Sequence, residues 1–262
     1  MPDARFPDGY TPPAWFTLFE PFQAATHPRV AESVQNIAMS PQVRSAPMLA
    51  YWFMMDTLQL SNHANRRGMH ASALATVRQC VESLSIIELG LCGHSGAEQM
   101  LTEWEGDNKT AGAIRKWLQE NVWGAYGSGL WNEPWDQFME QYAKATQPYA
   151  HYTRALAQWQ WNIRSVDNTP NADGMLALFV SLAPQEYDPQ KATRITLLHA
   201  LTEYLLGRVW AAAHPDDTQY WALIDEIGDA IGQSEYLDGA ETNWAQHFWA
   251  LTWRTDGRLV FE

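Results

Sequence analysis

Residues 70–90 read HASALATVRQCVESLSIIELG, and this stretch decides the fold. Its apolar residues fall at Ala73, Leu74, Val77, Val81, Leu84, Ile87 and Leu91, in steps of three and four. Such steps lay one continuous apolar stripe along a helix. Gly93 follows as a left-handed stop, so the spacing predicts a helix from about Met69 to Leu91. Upstream, Ser45 and Pro47 open a second long helix through Tyr51, Met55 and Leu58 to about Arg66, and Gly68 separates the two. Before that, Pro28 to Met39 reads as a short helix. Residues 1–26, rich in Pro and aromatics, read as an extended arm anchored by Trp15, Phe16, Phe19 and Phe22.

Downstream, Ser95 with Glu98 is a capping box for a helix to about Trp104, and Thr110 caps another. Residues 124–133 form a Gly-rich loop. Pro134 begins a helix to about Ala145, and Pro148 begins one through Tyr152, Leu156 and Trp159 to about Ser165. Val166 to Gly174 is a polar turn. Leu176 to Leu182 suits a short strand or a helix equally. Asp188-Pro189 opens a helix ending near His214, and two more are expected at 217–237 and 240–253. The expected fold class is therefore all-α: one helical domain of about ten helices. Its parts are the arm 1–26, a helical core 27–214, and acidic C-terminal helices 215–262.

The chain has 262 residues, 46% of them hydrophobic and 18% charged, with a net charge of −13. Residues 215–262 carry ten acidic and two basic side chains, a surplus best suited to a solvated cover. So acidic a chain is a poor binder of generic duplex DNA or RNA, because backbone binding runs on phosphate neutralisation. Two Cys exclude a disulfide scaffold and a four-Cys zinc site. No apolar window approaches the ~20 residues of a membrane span. No targeting segment is visible, so the expected location is cytoplasmic, with no membrane association. Fourteen Trp suggest lined grooves or a protein partner's interface, and a homodimer fits the same composition.

Several side chains are candidates for chemistry. Arg78 and Glu82 lie four apart on an apolar helix, a spacing for a partly buried ion pair. The plainer reading is a pair that fixes helix packing; the functional one is an Arg aimed at a phosphate or a partner. His151 reads either as a core or capping histidine or as an acid/base group facing Arg78 and Glu82. His63 and His70 are split by Gly68. Asp225, Glu226 and Asp229 share a face without a neighbouring His, so no metal site is expected, nor any cofactor. No Gly-rich phosphate loop or Ser nucleophile elbow occurs.

A long helix, the turn Arg66-Arg67-Gly68, and a helix carrying Ala73, Arg78 and Glu82 together resemble a group of bacterial all-helical domains similar to the HEPN superfamily. Tyr142, Thr146 and His151 add a second matching segment, and the resemblance spans roughly residues 48–213. It implies a helical binding module, of the kind found in phage-defence or toxin–antitoxin systems, with a protein partner. Alternatively it implies a metal-independent ribonuclease with RNA as substrate. In that case Arg78, Glu82 and His151 are the catalytic candidates. RNA-cutting HEPN domains resemble one another in an Arg, four to six residues, and a His. Arg194 with His199, and Arg208 with His214, match that spacing, though Ile195 or Val209 follows the Arg where a polar residue is usual. At ~100° per residue neither pair shares a helix face. Arg194 and Arg208 then read as surface charges and His199 as a core residue.

Overall fold

The structure, a computed structural model, describes residues 13–170, 176–184 and 186–234. It is an all-α helical bundle with one antiparallel β-ribbon. The helices are α1 (Ala14–Gln35), α2 (Ala46–Arg66), α3 (His70–Leu91), α4 (Ala97–Glu105), α5 (Ala111–Asn121), α6 (Trp135–Thr146), α7 (Arg154–Ala157), α8 (Pro189–Ala213) and α9 (Thr218–Gly232). The ribbon pairs β1 (Trp161–Pro170) with β2 (Leu176–Pro184), with one irregularity between Ile163 and Ser165.

The long amphipathic segments lie where their periodicity puts them. α2 and α3 form the most extensive helix pair. Gly90 lets them close: a Cβ there would stand 2.5 Å from Pro47 Cγ and 2.7 Å from Ile37 Cδ1. The turn between α2 and α3 needs Gly68, whose φ is +76°, a left-handed conformation that penalises any side chain. A Cβ at Gly68 would also stand 2.8 Å from the backbone nitrogen of Tyr187.

α8 runs through the middle of the bundle and packs on α1, α2, α3 and α9. Ile195, Leu198, Leu201, Leu205 and Val209 are all buried, and so are the polar residues His199, Thr202, Glu203 and Arg208. Each of these finds a partner on a different element. Thr202 and Tyr142 share a hydrogen bond of 2.6 Å. Glu203 accepts from Gln23 Nε2 at 2.7 Å and lies 3.2 Å from His27 Nε2. Arg208 donates to the carbonyls of Tyr126 and Ser128 at 2.7 and 3.0 Å, with its guanidinium between the rings of Trp135 and Trp221. Burying a polar group is costly unless it is paired in this way.

Four expectations need correction. The extended arm and the short helix after it are one helix, α1, from Ala14 onward; residues 1–12 lie outside the described residues. Trp15, Phe19, Phe22, Thr26, Val30 and Val34 make its buried stripe. Pro21 and Pro28 mask that period, yet both face solvent, where water can take the carbonyls they leave unbonded. The capping box before α4 does not form: Glu98 Oε1 accepts from the backbone of Ser40 at 3.1 Å instead. The helix expected from Pro148 to Ser165 breaks into a short turn at Gln147–Tyr149, the single turn of α7, another short turn at Gln158–Gln160, and the start of β1. At Leu176 to Leu182 the strand alternative is the one adopted. Val166 to Pro170, expected in a polar turn, belong to strand β1 instead; residues 171–174 of that turn, and the expected helix 240–253, lie outside the described residues.

Other local signals hold. Thr110 accepts from Ala113 N at 3.2 Å and caps α5. Asp188 accepts from Lys191 N at 3.1 Å at the start of α8. The helix expected from about 217 starts at Thr218, and Asp217, not singled out from the sequence, caps it by accepting from Tyr220 N at 3.0 Å. Five of the fourteen Trp (Trp15, Trp123, Trp135, Trp159, Trp210) are core residues.

Candidate anion site between α3, α5 and α6

Arg78 projects from the middle of α3 and is only 4% exposed. Its Nη2 donates to Gln147 Oε1 at 3.1 Å and lies 3.3 Å from Glu82 Oε1. The expected pair with Glu82 therefore forms, but it is lopsided, because Glu82 is 52% exposed. Arg78 Nε and Nη1 are buried with no acceptor. A guanidinium has five N–H donors and cannot shed its charge, so buried donors without acceptors are costly.

A second guanidinium lies alongside. Arg115 of α5 has a buried Nη1 with no acceptor. Burial, and then the positive charge of Arg78, hold the Arg115 guanidinium below its ordinary pKa, while Glu82 opposes them. Between α5 and α6 opens a cavity of about 340 Å³. Gly112, Arg115, Lys116 and Gln119 line it from one face of α5, at i, i+3, i+4 and i+7. Met139, Glu140, Ala143 and Lys144 line it from one face of α6, and Gln147 and Trp123 complete it. Ile114 and Leu118 on the far side of α5, and Phe138 and Tyr142 on α6, are buried and hold the two faces in place.

The lining carries three cations against one carboxylate, in a chain whose net charge is −13. Lys144 pairs with Glu140, and Lys116 lies 3.8 Å from Glu120, so the lysines are compensated. The two arginines are not compensated to the same degree. Trp123 is fixed from behind: its Nε1 donates to Glu88 Oε1 at 2.9 Å. Complete burial pushes the Glu88 carboxyl up to about 8, so it remains a neutral acid near neutral pH.

The other sequence candidates are distributed elsewhere. His151 is exposed at a bend after the Gln147–Tyr149 turn, neither core nor cap, and bonds neither Arg78 nor Glu82. Tyr142 and Thr146 of the same segment are buried structural groups. Arg194 and Arg208 are 5% and 7% exposed, so the reading of both as surface charges is overturned. α8 is central and has no wet face at those positions. His199 is a core residue, as expected. Ser61 Oγ spends its proton on the carbonyl of Ala73 at 2.8 Å, so it accepts from His199 Nε2 at 2.7 Å. His70 is held likewise: Asp188 N donates to Nε2 at 3.1 Å, and Nδ1 donates to Asn65 Oδ1 at 2.9 Å. Burial lowers both histidines to about 4. His63 is exposed and apart from His70, and no group of three metal-ligating side chains occurs among the described residues. No described helix is long and apolar enough to cross a membrane.

Arg115, Gln147 and Trp123 escape sequence reasoning. The one signal for them is the basic pair Arg115-Lys116 on a short amphipathic helix, which reads equally well as a solvated face. Compared with family models, curated proteins and solved structures, the chain matches none.

Proposed function

We propose that the chain is a helical binding module that takes a small anionic ligand, a phosphate or carboxylate compound, in the cavity between α5 and α6. The observation that carries this is the buried Arg78, whose Nε and Nη1 lack acceptors, and a second arginine repelling it from α5. Two like charges held together at reduced solvation are a standing cost that a bound anion relieves, by Coulomb attraction and charge-assisted hydrogen bonds. The cavity is at the small end of the ~300–1,000 Å³ range of ligand sites. Its apolar lining, Trp123, Met139 and Ala143, suits a compact organic body behind the anionic group.

Isothermal titration with inorganic phosphate, a sugar phosphate and a dicarboxylate tests the proposal. Binding should weaken by roughly 10- to 100-fold in Arg115→Ala, the loss of a hydrogen bond to a charged group. No heat and no rise in melting temperature with any of the three would refute it.

A second reading, a HEPN-like metal-independent ribonuclease, draws on one observation. His151 is exposed and follows by four residues Gln147, the residue that holds Arg78. His151→Ala would then abolish RNA cleavage at an unchanged melting temperature. Wild-type protein that leaves RNA intact would dismiss this reading and leave the binding reading standing.

A further inference from the structure

The outward face of α2 is unlike any other described surface of the chain. Leu49, Trp52, Phe53 and Leu60 stand between 49% and 59% exposed. Residues 49, 53, 56, 60, 63 and 67 follow steps of four and three, one straight seam along the helix. Over these residues the seam runs roughly 27 Å at 1.5 Å per residue. Its two ends differ. The N-terminal half is aromatic, with Trp52 and Phe53, and ends at Asp56. The C-terminal half is basic, with exposed His63, Arg66 and Arg67. None of these four charged or titratable side chains has a side-chain hydrogen bond or ion pair among the described residues. Met69, 43% exposed, extends the apolar rim at the basic end.

From this pattern we infer that α2 is the interface of a homodimer, in which two copies of the helix cross antiparallel with the two-fold axis near Leu60. The face is self-complementary only in that orientation. An isologous contact sets residue i against j and j against i. With Leu60 against Leu60, Asp56 of each copy meets His63 of the second copy. Trp52 and Phe53 of each copy meet Arg66 and Arg67 of the second, where a guanidinium can lie over an aromatic face. A parallel pairing would instead set Asp56 on Asp56 and arginine on arginine. A membrane surface would satisfy the aromatics and arginines but would leave Asp56 facing anionic lipid. On a monomer the exposed Leu49, Trp52, Phe53 and Leu60 would be left in water at a cost that dimerisation removes. The site lies on α2, away from the residues lining the cavity between α5 and α6, so it stands or falls independently of the anion reading.

The test is sedimentation equilibrium of the full chain over concentrations up to about 100 µM, on wild type and three variants, with circular dichroism confirming the fold of each. Wild type should be a dimer. Leu60→Glu should be a monomer with unchanged helicity, because Leu60 is the most exposed apolar residue of the seam and is not packed against the core. Asp56→Arg should weaken the dimer by about tenfold or more, as like charges then face each other. Adding Arg66→Glu and Arg67→Glu to Asp56→Arg should restore it, since the complementarity is reversed rather than lost. A wild type that is monomeric throughout, a Leu60→Glu dimer of undiminished affinity, a triple variant no tighter than Asp56→Arg, or association seen only with anionic vesicles would each overturn the inference.

Discussion

Gln147 sits between Arg78 and the cavity: its Oε1 accepts from Arg78 Nη2 at 3.1 Å, and its side chain forms part of the cavity lining. Through this amide the buried charge of α3 reaches the wall of the cavity between α5 and α6. Gln147→Ala should leave the fold intact and weaken phosphate binding, though less than Arg115→Ala does, because the amide relays a charge rather than supplying one. Titration calorimetry on both variants measures the order; equal losses would show that Gln147 touches the ligand as strongly as the guanidinium does.

Removing Arg194 should damage stability more than removing Glu82. Arg194 is buried in the central helix, and its truncation leaves a gap in the packed centre, on the order of 2–3 kcal/mol. Glu82 is half in water, and its i, i+4 pair is worth at most ~1 kcal/mol. Urea unfolding of the two alanine variants decides this, and a larger loss for Glu82→Ala would contradict the burial order.

Acid should unfold the protein through two histidines. His70 and His199 are lowered by burial to about 4, from an ordinary value of 6.5. In the unfolded chain they bind protons below pH 6.5, and in the folded one only below about 4. Stability is therefore complete above pH 6.5 and falls between pH 6.5 and 4, by on the order of 3 kcal/mol per histidine. A stability that stays level across that window in chemical denaturation would be incompatible with neutral buried imidazoles.

Glu88 acts in the opposite sense. Its carboxyl is raised to about 8, so the folded state holds a proton that the unfolded state loses near 4.5. The stability this contributes is present below pH 4.5 and lost as the pH rises through 8. Glu88→Gln keeps an acceptor for Trp123 Nε1 without an ionisable group. The melting temperature of the variant, relative to wild type, should therefore rise steadily from pH 5 to pH 8. A difference independent of pH would place Glu88 ionised in the fold.

The α2–Gly68–α3 hairpin, the start of α8 at Asp188-Pro189 and the cap at Thr110 follow from residues next to one another in the chain. Helix periodicity, a left-handed glycine and a side-chain cap are local physics, and they act whatever the rest of the chain does. The helical character of Ala14–Gln35 was local too, but Pro21 and Pro28 obscured a stripe whose prolines happen to face solvent. What the sequence alone could not decide is which helix becomes the centre. α8 resembles its neighbours in composition, and only assembly puts Arg194, His199, Glu203 and Arg208 out of reach of water. Burial is a property of surroundings, so the same i, i+4 spacing could not tell that Arg78 is sealed and Glu82 is wet. The candidate anion site has the same origin. Arg78 and Gln147 are 69 residues apart, and Arg115 comes from a third helix. The meeting of these groups is set by how α5 and α6 pack against α3, which no local signal encodes.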